Sequence, residues 1–377
     1  MNPRQRFLAA LRFCRSDRTP LDPGHPREST LAAWHSQGLP EGADYREELR
    51  RILGLDEEPA QPFLSLGVSF RMIPTFEERV LEHRDGHYVV QDWMGAVTEI
   101  ADKYDYTYIR TAKDFVTRKW HRFPVETRQD WHDKLAWRYD AGAPGRFPPD
   151  LAKRCSGLAV RTQVLSLNWN GPFWQLREWC GFEGLCYLCA EQPAFVDEMA
   201  AFWTEFVADV LARILAHTSL DHVMINEDMA YKAHSMISPA MVRRFVLPSY
   251  RRWAELLRRQ ADPIVIEVDS DGYVADLIPL WIEAGIHCCS PVEVAAGNDI
   301  VAYRRRYGRN MAFQGGIDKR AIASGGAAME AEVRRVVPPL LEQGGFIPSC
   351  DHGVPADVSW PDYVAYARLL AELTGWL

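Results

Sequence analysis

Residues 263–272 read PIVIEVDSDG. Ile264, Val265, Ile266 and Val268 form a short apolar, mostly β-branched run, the composition of a strand buried on both faces in a parallel sheet. The run ends on Asp269, Ser270 and Asp271. Gly272 then permits a tight turn, and a helical pattern follows over 273–284. Carboxylates at the carboxyl end of a strand, just ahead of a helix, stand where α/β barrels and open α/β sheets keep their chemistry.

The same unit repeats outward from this stretch. Strand-like runs fall at 158–165, 222–226, 286–290, 311–314 and 346–349, separated by helical spacing over 172–181, 193–217, 239–260, 298–307 and 328–343. Ser238 and Pro239 are a helix cap and first-turn proline, and Ser359 with Asp362 has the spacing of a capping box. Strands alternating with helices of this length build right-handed βαβ units. The number of repeats favours an α/β fold of the TIM (β/α)8 barrel type over a doubly wound sheet. Before them, residues 3–15, 29–37 and 45–53 have helical spacing, 63–130 alternate in short runs such as 87–92 and 107–110, and 141–150 is a Pro/Gly-rich loop. The expectation is one barrel domain over 1–377, with a helical and hairpin elaboration inside 1–150 and regular repeats over 158–377.

Forty-three basic residues against 51 acidic give a net charge of −8, and no long basic run occurs, which argues against a nucleic-acid partner. A small-molecule substrate or another protein fits this balance, and homo-oligomers stay open. Eight scattered cysteines in a chain of 377 residues do not make a disulfide scaffold and predict free thiols in a reducing cytoplasm. The first twenty residues are charged, and no 18-residue apolar run occurs, so neither a signal peptide nor a membrane span is expected.

Polar residues follow the strands: Glu227 and Asp228; Asp269 and Asp271; Ser290 and Glu293; Gln314 and Asp318; then Cys350, Asp351 and His352. In a parallel barrel these converge on one mouth, where carboxylates, a thiol and an imidazole can hold a divalent metal or run acid–base chemistry. Each has a plainer reading. Asp271 or Asp318 alone reads as a helix cap. Cys288 and Cys289 read as core, and Cys186 and Cys189, despite zinc-like spacing, sit in a helical pattern without a second pair. For His352, flanked by Cys350 and Asp351, a ligand role and a structural one are balanced.

Residues 227–253 (EDMAYKAHSMISPAMVRRFVLPSYRRW), the DSDG turn at 269–272, SPVEVAAGNDI at 290–300, QGGIDKR at 314–320 and HGVPADVSWPDYVAY at 352–366 together resemble the uroporphyrinogen decarboxylase superfamily. The opening PRQRFLAALR with DRTP, and GPFWQLREWCGFE at 171–183, agree with it. The resemblance implies a TIM barrel. It also implies one of two activities. True uroporphyrinogen decarboxylases carry an arginine-rich loop after the first strand; the matching LDPGHPREST at 21–30 has Arg27 alone, which argues against a tetrapyrrole bearing many carboxylates.

The other branch, cobalamin-linked methyltransferases, binds zinc through an H-x-C-G turn and a distal Cys. Asp269, Ser270, Asp271 and Gly272 occupy the first place and His352 the second, with Cys350 two residues away. The resemblance therefore implies a methyltransferase whose metal, zinc or alternatively iron or manganese, is held by some of Asp269, Asp271, His352, Glu227 and Cys350. A corrinoid would come from a partner protein. Glu227, Asp271, His352 and Lys232 are the expected catalytic groups, with Phe173, Trp174, Arg177, Tyr231 and Gln314 around the substrate. The alternatives are a decarboxylase of a smaller acid, with Lys232 or Arg177 on its carboxylate, and a barrel that only binds a corrinoid or metabolite.

Overall fold

The computed structural model describes residues 1–56, 63–107 and 117–377. An antiparallel sheet comes first: β1 (Arg79–Arg84), β2 (His87–Gln91), β3 (Val97–Ala101) and β4 (Arg118–Arg122), joined in that order. This is the hairpin elaboration that alternation over 63–130 suggests. The run at 107–110, beyond Thr107, lies outside the described residues.

Six parallel strands follow: β5 (Ser166–Asn170), β6 (His222–Asn226), β7 (Val265–Asp269), β8 (Cys288–Ser290), β9 (Ala312–Ile317) and β10 (Phe346–Cys350), each paired with the next. Two extended segments flank them. Leu64 bridges Leu165 in parallel, its amide donating to the Val164 carbonyl at 2.8 Å. On the other side Pro26 bridges Val354, and the Val354 amide donates to the His25 carbonyl at 2.8 Å. These segments make eight staves, each followed by helical chain except where the antiparallel sheet intervenes, and the fold is a TIM (β/α)8 barrel.

The segment around 21–26 was not readable as a stave, because its Pro and Gly are turn formers and only one bridge ties it down. Repeats become regular at Ser166 rather than 158: residues 158–160 form a turn, and the strand is the polar SLNWN. The helix expected over 273–284 is only Ile278–Ala284. Residues before it are held in a turn, with the Val274 amide donating to the Asn298 side chain at 3.1 Å. The helix expected over 239–260 contains a wide turn, Val242–Val246, just ahead of Pro248. Proline has no amide to donate, so the ladder can slip there by one residue.

The barrel floor is closed by α1 (Pro3–Leu11), capped by Asn2. Phe7, Leu8, Ala10 and Leu11 pack on Val164, Val265, Cys288, Ala312 and Ile347, residues at the amino ends of the strands. Just inside, His222 sits 5.4 Å from the Phe7 ring and 2.8 Å, through Nε2, from Glu267. Gln314, expected beside the substrate, instead donates to that same Glu267 within the barrel. No helix among the described residues is long and apolar enough to cross a membrane.

Candidate active site

The strand ends set the site. In register, Asn170 lies beside Asn226, Asn226 beside Asp269, and Asp269 beside Ser290. One step above this level is a cavity of about 350 Å³ lined by Asp22, Gly24, His25, Trp174, Asp228, Asp269, Asp271, Pro291, Ser349, Cys350, His352 and Gly353. Asp269, Asp271, His352, Cys350 and Trp174, all expected at the site, therefore meet there.

The DSDG turn holds Asp271 tightly. Gly272 has φ +80°, and a side chain there would meet the Ala230 carbonyl at 2.6 Å. Its amide donates to Glu293 at 3.2 Å, and Glu293 is in turn paired with Lys319 at 2.8 Å. The Asp271 carboxylate does not cap the following helix. It lies 2.9 Å from Nε2 of His352. The Gly353 amide donates to Nδ1 of His352 at 2.8 Å and Arg27 approaches the same nitrogen at 3.3 Å, so Nδ1 is the acceptor and Nε2 carries the proton toward Asp271.

Charge accumulates in this cavity. Burial pushes the Asp269 carboxyl up to about 7, with further push from Asp271, Glu267 and Asp228. Burial and Asp271 likewise raise Asp228. Its hydrogen bond to Asp271 raises His352, against the effect of burial. Crowded carboxylates that discourage one another's ionisation mark a place for a cation or a shared proton.

Two expected metal ligands are placed differently: Glu227 lies outside the cavity and Cys350 lies buried at its edge. Glu227 is fully buried, accepts from the Phe173 amide and the Tyr250 hydroxyl, both at 2.7 Å, and does not line the cavity. Burial pushes it up to about 8. Successive residues at a strand end point opposite ways, and the chain turns at Asp228 (φ +43°), so the neighbour reaches the mouth instead. Cys350 borders the cavity but is buried, its thiol pushed up to about 12 by burial, which is the reverse of an activated thiolate.

Among the described residues, no three His, Cys, Asp or Glu side chains are already gathered around one point at ligand distances. The donor types, carboxylates with one imidazole, suit a hard or borderline divalent ion, and the thiolate-rich zinc set does not fit. Asp351 is occupied as well, accepting from the Val294 and Lys319 amides at 2.7 and 3.0 Å. Asp318 caps the helix Lys319–Ser324. Cys186 and Cys189 lie within the helix Phe182–Glu191. Tyr231 is 51% exposed and Lys232 is exposed, and neither lines the cavity. Phe173 is buried, with Arg177 5.7 Å from its ring and 4.8 Å from that of Trp174. Asp22 and His25 were not singled out from sequence, because they follow no readable strand.

A barrel with an acidic, imidazole-bearing mouth defines the class: an α/β-barrel protein with the site geometry of an enzyme. The uroporphyrinogen decarboxylase (URO-D) family model matches residues 169–368, and the chain belongs to that family. A solved methyltransferase from Methanosarcina mazei is similar in fold, with TM-score 0.58 and 14% identity over 99% of this chain and 98% of that one. A vitamin-B12-independent methionine synthase described from Listeria monocytogenes aligns at TM-score 0.34 and 10% identity, over 57% of this chain and 64% of that one. No curated protein matches the chain.

Proposed function

We propose that this protein is a methyltransferase that moves a methyl group between a small molecule and a corrinoid carried by a partner protein. A divalent metal would be held at the mouth by Asp269, Asp271 and His352, the ion taking the place of the Nε2 proton that His352 otherwise shares with Asp271. The observation that carries the reading is the crowding of Asp228, Asp269 and Asp271 in one cavity with a single imidazole, a surplus of negative charge that a dication would neutralise. Such an ion supplies Lewis-acid activation of a bound oxygen or sulfur. The chain's own contribution is positional: Asp271 fixes the ring of His352, Gly272 fixes Asp271, and Trp174 limits water at one wall. Zinc, iron and manganese are all compatible with oxygen and nitrogen donors. The acidic mouth also argues against a polycarboxylate substrate, which Asp22, Asp228, Asp269 and Asp271 would repel.

A decarboxylase of a smaller acid is the second reading, favoured by one observation: Arg27 stands 3.3 Å from His352 and could hold a carboxylate. Metal analysis after loading with zinc or manganese, together with methyl exchange with a methylcobalamin-charged corrinoid protein, separates the two. Methyl exchange abolished by chelation supports the first. Carbon dioxide release that survives chelation, without methyl exchange, removes it.

A further inference from the structure

The floor of the barrel, at the amino ends of the strands, has a hollow of its own. A cavity of about 400 Å³ opens where α1 ends, and its lining includes Arg12, Phe13, Arg258, Asp262, His287 and Arg309. These residues come from the end of α1, the chain between Leu257 and β7, the residue before β8 and the turn before β9. Three guanidinium groups share the space with a single carboxylate.

Among the described residues, none of the three arginines pairs with a carboxylate. Asp262 accepts from the Ser219 hydroxyl at 2.5 Å. Arg12 is exposed, and among the described residues its side chain makes no hydrogen bond or ion pair. Arg258 gives one nitrogen to the Gly285 carbonyl, and Arg309 gives one to the Phe13 carbonyl at 2.7 Å, which leaves most of each fork free.

A fourth guanidinium stands behind the wall. Arg304 is buried, donates to the carbonyls of Gly308, Met311 and Gly345, and keeps its Nε without a hydrogen bond. Burial pushes it down to about 10, so it remains charged at neutral pH. It lies 4.7 Å from the Phe13 ring, and Arg309 lies 5.2 Å from the same ring. His287 adds no charge, because burial, with Arg258 and Arg12 acting the same way, holds it below its usual value. Like charges gathered this way are costly until an anion offsets them.

We infer that this hollow binds a phosphate group, either the free ion or the phosphoryl end of a small organic phosphate, with Arg12, Arg258 and Arg309 on its oxygens. A monocarboxylate fills one guanidinium fork and answers one charge, whereas a tetrahedral dianion offers oxygens in several directions and answers two. The cavity is larger than phosphate itself and lies within the roughly 300–1,000 Å³ of small-molecule sites. Phe13, Pro263 and Ile264 supply an apolar wall for an organic remainder. Bound phosphate ties the end of α1 to the segments that lead into β7 and β9. The site is remote from the mouth and independent of the methyl-transfer reading.

Calorimetric titration of the full chain with inorganic phosphate, phenyl phosphate and benzoate, at about pH 8 where both phosphates are dianions, tests the assignment. Both phosphates should bind saturably, and benzoate about tenfold weaker or worse. Phenyl phosphate binding more tightly than inorganic phosphate identifies an organic phosphate as the occupant, and equal binding identifies the free ion. Arg12→Met removes an exposed side chain without a partner, so the fold survives, and it should weaken phosphate binding about tenfold. Arg309→Met should do the same, and Arg12→Lys should lose less. Arg334→Met, which breaks a surface pair with Glu330 outside the hollow, should change nothing. Absence of saturable phosphate binding by the parent, binding that survives both Arg12→Met and Arg309→Met, or an equal loss in Arg334→Met overturns the site. Benzoate binding as tightly as phosphate overturns it as well.

Discussion

Nε2 of His352 lies 2.9 Å from Oδ2 of Asp271, although 81 residues separate them. The contact ties the end of β7 to the end of β10 across the barrel mouth, and both groups line the same cavity. If a metal binds here, it must engage these side chains. Added zinc or manganese should therefore raise the melting temperature of the parent, by the equivalent of about 2.7 kcal/mol at a hundredfold excess over Kd. Asp271→Asn and His352→Gln should each lose most of that shift; shifts equal to the parent's would place the metal elsewhere.

Glu227 gives a pH prediction with a definite sign. Burial holds its carboxyl at about 8, against 4.5 for an exposed glutamate. The folded chain thus binds more protons between these values, and this residue makes stability fall as pH rises from about 4.5 to 8, with no further change above. Glu227→Gln keeps the acceptor for the Phe173 amide and should flatten that fall, gaining most on the parent at pH 8. Melting curves across this range would refute the idea if parent and variant ran parallel.

Asp221 should show the opposite dependence. It is fully buried and accepts from Arg161 at 2.7 and 2.9 Å, from Arg4 at 2.8 Å and from the Leu165 amide at 2.8 Å. Burial raises its carboxyl, but these partners outweigh that and leave it below the ordinary 3.8. The stability it contributes is complete above that value and is lost as pH falls below it. Asp221→Asn, which strands two arginines, should cost about 3–5 kcal/mol in denaturant unfolding at neutral pH; a loss below about 1 kcal/mol would show the cluster to be solvent-like.

Gly272→Ala tests whether the turn is obligatory. The new Cβ would meet the Ala230 carbonyl carbon and oxygen at 2.6 Å, at a φ of +80° that disfavours side chains. A loss of roughly 1–3 kcal/mol is expected, together with loss of the metal-dependent melting shift, because Asp271 precedes the strained residue. Unchanged stability would mean that the neighbouring segment yields.

Periodicity made the repeating core legible: Val265–Asp269 and His222–Asn226 are apolar runs whose neighbours leave little choice of structure. The stave at 21–26 was not, since one bridge beside β10 is a tertiary property with no local pattern. At the site, Asp269, Asp271 and His352 were readable because each ends or follows a strand. The exchange of roles between Glu227 and Asp228 was not readable. It depends on the left-handed backbone at Asp228, and spacing alone does not reveal which of two adjacent carboxylates faces the mouth.

The floor helix has a consequence for how the protein is made. Pro3–Leu11 leaves the ribosome before every strand it seals, and Gly345, whose amide donates to the Ala10 carbonyl at 2.8 Å, follows some 335 residues later. At a synthesis rate of about 5–20 residues per second, Phe7 and Leu8 wait tens of seconds for their pocket. During that interval the nascent chain carries an unburied apolar segment, because the floor cannot close until Ile347, in the last strand, has been made.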